Sequence, residues 1–199
     1  MKKKTIALVL AMFLLIGGTL GVTLAYLQDT TQVVTNTFTV GDIDIKLDET
    51  QVGEDGKPVT TGTRVEAQTK PYKVVPGTNI SKDPLITFTK DSEPCWLFVK
   101  VEESENWTTT KMTYSVDTSI WTLVPGQTNV WFKKLETAPK ANDNYQILTG
   151  NLITVPATIG NTELEAAKTA NLKFTAYAIQ LENLANAEAA WAALNPTNP

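Results

Sequence analysis

Residues 95–103 read CWLFVKVEE, the most apolar strand-like stretch that follows the chain's N-terminal region. The turn sequence at residues 91–94, DSEP, precedes it. A short apolar run bounded by turn residues is typical of a strand that is buried on both faces. We therefore expect residues 95–103 to be a central strand of a sheet.

Further strands are predicted on both sides of this run. Apolar and polar residues alternate at residues 43–47, side chains alternate between two faces at residues 171–182, and turn residues separate the predicted strands. The clearest are residues 43–47, 84–90, 128–136 and 171–182, the last of which has substantial side chains on both faces. The pattern predicts a mainly β fold, an antiparallel two-sheet β-sandwich of jelly-roll-like type.

Two short helices are expected near the C-terminus. Residues 162–170 contain Thr162 and Glu165, whose spacing is that of a capping box. Residues 185–195 are rich in alanine, a strong helix former. One apolar stripe follows this second helix at Leu184, Ala187, Trp191 and Leu194.

The N-terminus has the pattern of a secretory signal peptide. Three lysines at positions 2–4 precede an apolar run at residues 6–16. We expect cleavage after Ala25, which leaves Tyr26 as the first residue; a retained membrane anchor is the alternative. The predicted organisation is a signal peptide at 1–25, an N-terminal arm at 26–37 and a β-sandwich domain at 38–199.

Charge and cysteine content restrict the environment and the partners. Without residues 1–25 the chain has 14 basic and 21 acidic residues, which argues against binding of nucleic acid or anionic lipid. The single cysteine, Cys95, excludes an intrachain disulfide, which fits a bacterial cell surface. We expect Cys95 to be a small buried hydrophobic residue; a reactive thiol or a dimer bridge is the alternative.

The absence of histidine from the chain limits its chemistry. Histidine-based acid–base catalysis and the usual zinc sites are excluded, so we expect no enzymatic activity and no cofactor. Asp42, Asp44, Asp48 and Glu49 leave a weak Ca²⁺ site as an alternative to a solvated strand face. We expect the five tryptophans to belong to the core rather than to a sugar-binding platform.

Several stretches together resemble the bacterial TasA/camelysin family, whose members are exported through a SipW-type signal peptidase. The resemblance covers most of the chain, and residues 88–94 depart from it because the family usually has Asn and Gly in that turn. The matching stretches are residues 21–30 (GVTLAYLQDT), 36–47 (NTFTVGDIDIKL), 75–101 and 172–194. The resemblance implies a jelly-roll fold and either a biofilm matrix fibre subunit or a cell-surface metallopeptidase.

The arm at residues 26–37 provides a physical route to a fibre. A free extended segment can add as a strand to a sheet edge of another subunit, with Leu27, Val33 and Val34 filling pockets. A head-to-tail contact that does not close produces a filament. Alternatively, residues 26–37 form the first strand of their own sandwich, or fray.

The leading functional prediction is an exported structural protein that forms a homopolymer in the extracellular matrix or at the surface of a Gram-positive-type bacterium. Its predicted partners are further copies of itself, a SipW-type signal peptidase and other matrix proteins; contact with the membrane is expected only through the uncleaved signal peptide. A monomeric secreted adhesin or binding module is the first alternative. A camelysin-like peptidase is the second, and the missing histidine argues against it.

Overall fold

The computed structural model describes residues 43–59, 63–66 and 73–194, together with the backbone of residues 28–31. These residues form a mainly β structure in which the paired strands are antiparallel, compatible with a β-sandwich. The predicted fold class is therefore confirmed. The predicted signal peptide lies outside the described residues.

The strands are short, apart from two of nine residues. In chain order they are β1 Gln28–Thr31, β2 Ile45–Thr50, β3 Arg64–Val65, β4 Asn79–Ser81, β5 Leu85–Phe88, β6 Cys95–Glu103, β7 Thr122–Leu123, β8 Val130–Leu135, β9 Asn144–Gln146, β10 Leu152–Thr154 and β11 Leu172–Gln180. The helices are α1 Trp107–Thr110, α2 Asn161–Ala167 and α3 Ala187–Leu194, and a 3₁₀ turn spans Thr149–Asn151.

The larger sheet has five strands in the order β1-β11-β6-β8-β7. Strand β6 lies at its centre, where β11 pairs with its full length and β8 pairs with Cys95 to Lys100. The prediction of a central strand at residues 95–103 is confirmed. Cys95 is fully buried, and this burial raises the pKa of its thiol to about 12, so the thiol is an unreactive core group.

The second sheet has the order β3-β2-β5-β9 and packs face to face on the first. Alternate residues of each strand point into the space between the sheets, as the pleat requires. The inter-sheet core includes Ile43, Ile45, Ile86, Phe88, Leu97, Val99, Trp121, Phe174, Ala176 and Ala178. A separate two-stranded ribbon of β4 and β10 completes the described sheets.

The outer face of the five-stranded sheet is also apolar where α3 covers it. Trp191 of α3 packs against Phe98, with ring centroids 5.5 Å apart, and against Tyr177 at 5.2 Å. Leu184, Ala187 and Leu194 join the same cluster. The stripe predicted for the second C-terminal helix is therefore confirmed, and so is the prediction that residues 171–182 have substantial side chains on both faces of the strand.

A third apolar cluster fills the space between the β4–β10 ribbon and the helices α1 and α2. It contains Trp107, so each of the five tryptophans belongs to or packs against a core cluster.

The predicted capping box is wrong. Helix α2 begins at Asn161, and the Glu163 carboxylate accepts a hydrogen bond of 2.9 Å from the Gly160 N–H.

Long-range pairing sets the conformation of two further segments. The alternating residues around 112–116 form isolated bridges, Thr113 with Thr154 and Val116 with Leu148, rather than a strand. The polar segment after residue 138 ends in strand β9, because its last residues pair with the edge of β5 opposite β2. In both cases long-range pairing decides the conformation, which local alternation does not report.

No helix among the described residues is both long enough and apolar enough to cross a membrane.

Candidate assembly edge

Strand β1 lies along one edge of β11. The pairing is antiparallel and covers four residues, from Gln28 opposite Ile179 to Thr31 opposite Ala176. Residues 28–31 belong to the predicted N-terminal arm, so this part of the arm lies on the sheet of its own chain. That arrangement is the alternative in which the arm forms the first strand of its own sandwich.

The other edge of β11 is paired over its whole length. Nine residues pair with β6, from Leu172 opposite Glu103 to Gln180 opposite Cys95. One strand thus has two neighbours of very different extent. Backbone hydrogen bonds hold both, but the β6 pairing covers more than twice as many residues as the described β1 pairing.

Side chains of β11 are buried on both faces next to β1. Ala176 and Ala178 point into the inter-sheet core, while Tyr177 and Ile179 contribute to the cluster under α3. Burial raises the pKa of the Tyr177 hydroxyl above its ordinary value. The edge that β1 occupies is therefore part of the packed body of the domain, and a strand in this position completes a sheet.

The remaining residues assigned to the arm and its cleavage site are not placed. Ala25, Tyr26, Leu27, Val33 and Val34 lie outside the described residues. Sequence reasoning identified the arm but not its acceptor, β11. The available signal was the nine-residue alternation at residues 172–180, the pattern of a strand that needs a neighbour on each side.

The opposite edge of the sheet differs in its construction. Strand β7 has two residues, both exposed, and pairs with Phe132 and Trp131 of β8. Leu123 of β7 is one of three large apolar side chains exposed among the described residues. Very short edge strands limit the backbone available to another chain, so β7 is a weaker acceptor than β11 would be.

The acidic residues of β2 are held by cations rather than grouped around a common point. The Arg64 guanidinium donates to Asp48 and, at 3.0 Å, to Asp83. Burial alone would lower the pKa of Arg64, but its bonds to the two carboxylates raise it. Glu49 Oε2 lies 2.6 Å from Lys82 Nζ.

These ion pairs bear on the predicted Ca²⁺ site. Asp42 lies outside the described residues, and Asp44 accepts a backbone hydrogen bond of 3.0 Å from Thr89 through its carbonyl. Within residues 43–59, 63–66 and 73–194, no three or more acidic or cysteine side chains are grouped so that they could hold a metal ion.

Comparisons with protein-family models, with curated proteins and with solved structures found no match to this chain.

Proposed function

We propose that this protein is an exported structural protein whose subunits form extracellular fibres by exchange of the N-terminal strand. In this proposal the chain is a member of the TasA/camelysin family, a SipW-type signal peptidase removes residues 1–25, and the fibre belongs to a biofilm matrix. Other matrix proteins are possible partners within it. The observation that carries the proposal is the pairing of β1 with the edge of β11.

The physical argument concerns the energy of the two arrangements. When β1 leaves its own β11, the backbone groups at Ala176–Ile179 on that edge lose their partners, which is unfavourable. An arm of identical sequence from a second subunit restores the same hydrogen bonds in the same register. Exchange therefore costs little at equilibrium, and each subunit both gives an arm and accepts one.

Cleavage provides the control in this scheme. Before cleavage the arm continues into the signal segment, which is held at the membrane. After cleavage at Ala25 the arm has a free end that can reach a neighbouring subunit. Assembly would then be restricted to the mature protein outside the cell.

A reversible lock tests exchange directly. The variant Thr31→Cys with Ala176→Cys places two thiols on opposite residues of β1 and β11, so oxidation ties the arm to its own sheet. Cys95 is buried and does not compete. The matched control is Glu102→Cys with Lys173→Cys, an opposite pair that ties β6 to β11.

Protein that begins at Tyr26 is followed by light scattering and electron microscopy. We expect filaments from the unmodified protein and from the oxidised control lock, and none from the oxidised arm lock until a reductant is added. Filaments from the oxidised arm lock would show that exchange of β1 is not the mechanism. Monomers in every case would instead favour the secreted binding module.

A further inference from the structure

The backbone groups of β11 alternate between its two neighbouring strands. The Leu181 N–H donates to the Pro94 carbonyl at 2.9 Å, and the Ser104 N–H donates to the Asn171 carbonyl at 3.1 Å. Both bonds continue the register of β6 and β11, so the odd-numbered residues of β11 direct their backbone groups toward β6. The even-numbered residues therefore direct theirs toward the arm.

Gln180 is the last residue of β11 on the arm's side. The described part of the arm lies opposite this edge, with Asp29 facing Ala178. Continued toward the N-terminus, the same register leads Leu27 to Gln180 and Tyr26 to one residue beyond the end of β11. Both residues lie outside the described part of the chain. Among the described residues, the Gln180 N–H and carbonyl on this edge have no partner.

Glu182 lies at the same corner of the sheet. It follows β11 in a tight turn, in which the Leu184 N–H donates to the Leu181 carbonyl at 3.4 Å. Its side chain is exposed, and no lysine or arginine of the described residues forms an ion pair with it. By contrast, Glu136, which follows β8 at this end of the sheet, has Lys134 2.7 Å away. A carboxylate without a cation thus lies where the register leads the mature N-terminus.

We propose that the α-ammonium group that cleavage creates on Tyr26 pairs with the Glu182 carboxylate and so fixes the arm on β11. The inference rests on the proposed function, because it takes Tyr26 as the first residue of the mature chain. Before cleavage this nitrogen belongs to the peptide bond between Ala25 and Tyr26 and carries no charge. The ion pair is therefore available only to the mature protein.

Register and charge both favour this pair. The same register brings Ala25 of the uncleaved chain level with Glu182, so the mature chain begins, with its positive charge, within one residue of the carboxylate. Opposite residues of antiparallel strands have Cα atoms about 4.5–5.5 Å apart, and opposite charges at such positions attract. In a fibre, the ammonium of a donated arm would meet Glu182 of the accepting subunit.

A double-mutant cycle on the unassembled protein tests the pair. One change is Glu182→Gln. The other retains Leu24 and Ala25, which moves the ammonium two residues away. All chains are studied below the concentration at which they assemble. The readout is hydrogen exchange at the backbone N–H groups of Asp29 and Thr31, which lie opposite even-numbered residues of β11.

Each change alone should speed exchange at both N–H groups by about two- to fivefold, the range expected for a partly exposed ion pair. The two changes together should do no more than either alone, because both remove the same contact. Glu105→Gln is the matched control. Glu105 is an exposed acid in the turn after β6, at the opposite end of the sheet, and its substitution should leave the exchange unchanged.

Additive effects of the two changes would overturn the pair. Unchanged exchange in Glu182→Gln would overturn it as well, and so would rapid exchange at both N–H groups in every chain. The outcome is separate from that of the filament experiment. Coupled effects in a protein that never forms filaments would support the ion pair and contradict the proposed fibre, and filaments without coupling would do the reverse.

Discussion

The two edges of β11 differ in what they do for the molecule. The edge on β6 pairs all nine residues and closes the core of the larger sheet, whereas on the other edge the described part of the chain pairs four, residues 28–31. Both use the same backbone chemistry. The comparison suggests that the length of a pairing separates a permanent contact from one that can be exchanged.

The largest loss of stability is expected from a core substitution in β6. Leu97 is fully buried in the inter-sheet core, and Leu97→Ala removes apolar contacts and leaves a cavity. We expect the free energy of unfolding to fall by about 2–5 kcal/mol, measured by urea denaturation. The exposed Leu123 is the control. Leu123→Ala should change the free energy of unfolding by less than about 0.5 kcal/mol.

Removal of the arm should have a smaller effect. A chain that begins at residue 38 lacks β1, and its four-residue pairing contains few hydrogen bonds, each worth about 1 kcal/mol net. We expect a loss of roughly 2 kcal/mol in the same urea experiment, with the fold retained by circular dichroism. A loss greater than the one measured for Leu97→Ala would mean that β1 is an integral strand.

A still smaller effect is expected from the charges across β6 and β11. Glu102 lies opposite Lys173, and its hydrogen bond from Lys100 lowers the pKa of the Glu102 carboxyl below its ordinary value of 4.5. Because the folded state binds the proton less tightly, this stabilisation is present above pH 4.5 and is lost as the pH falls through the lower folded value.

Glu102→Gln should therefore cost at most about 0.5 kcal/mol at pH 7, because solvent screens these partly exposed charges. The difference from wild type should shrink in urea titrations repeated at acid pH. A difference that grows as the pH falls would contradict the assigned sign. Glu136→Gln is a matched control. Glu136 Oε1 lies 2.7 Å from Lys134 Nζ, and neither residue belongs to β11.

We expect removal of the arm to leave the alkylation rate of Cys95 unchanged. Cys95 lies between β8 and β11, and burial keeps its thiol protonated well above pH 8. Alkylation at pH 8 should be equally slow in the full arm-bearing protein and in the chain that begins at residue 38, and fast in urea. Faster labelling of the shortened chain would show that β1 helps to hold β6 and would break the comparison.

Local pattern predicted the strands that face the core on at least one side. The apolar run at residues 95–103 was sufficient because a short continuous apolar run is typical of a strand buried on both faces, and residues 171–182 were sufficient because their side chains alternate. Local pattern does not determine strand β9 or the bridged segment around Val116. Their conformation depends on partners far along the chain, Leu85–Thr87 and Leu148.

The candidate site shows the same division. The sequence predicted an N-terminal arm and a buried Cys95, and it showed the acidic residues of β2. It could not show that residues 28–31 lie on β11, or that Lys82 and Glu49 form an enclosed ion pair. Such contacts depend on strand order and register, which no local window contains.

By itself, then, the amino-acid sequence determined the fold class, the central strand, the apolar faces of β11 and α3, and the exclusion of histidine chemistry. These follow from composition and from periodicity, which act residue by residue. Only the tertiary structure decided which edge receives the arm and which charges are enclosed. Those outcomes depend on the pairing of distant strands, whose free energy is shared among many residues rather than carried by any one motif.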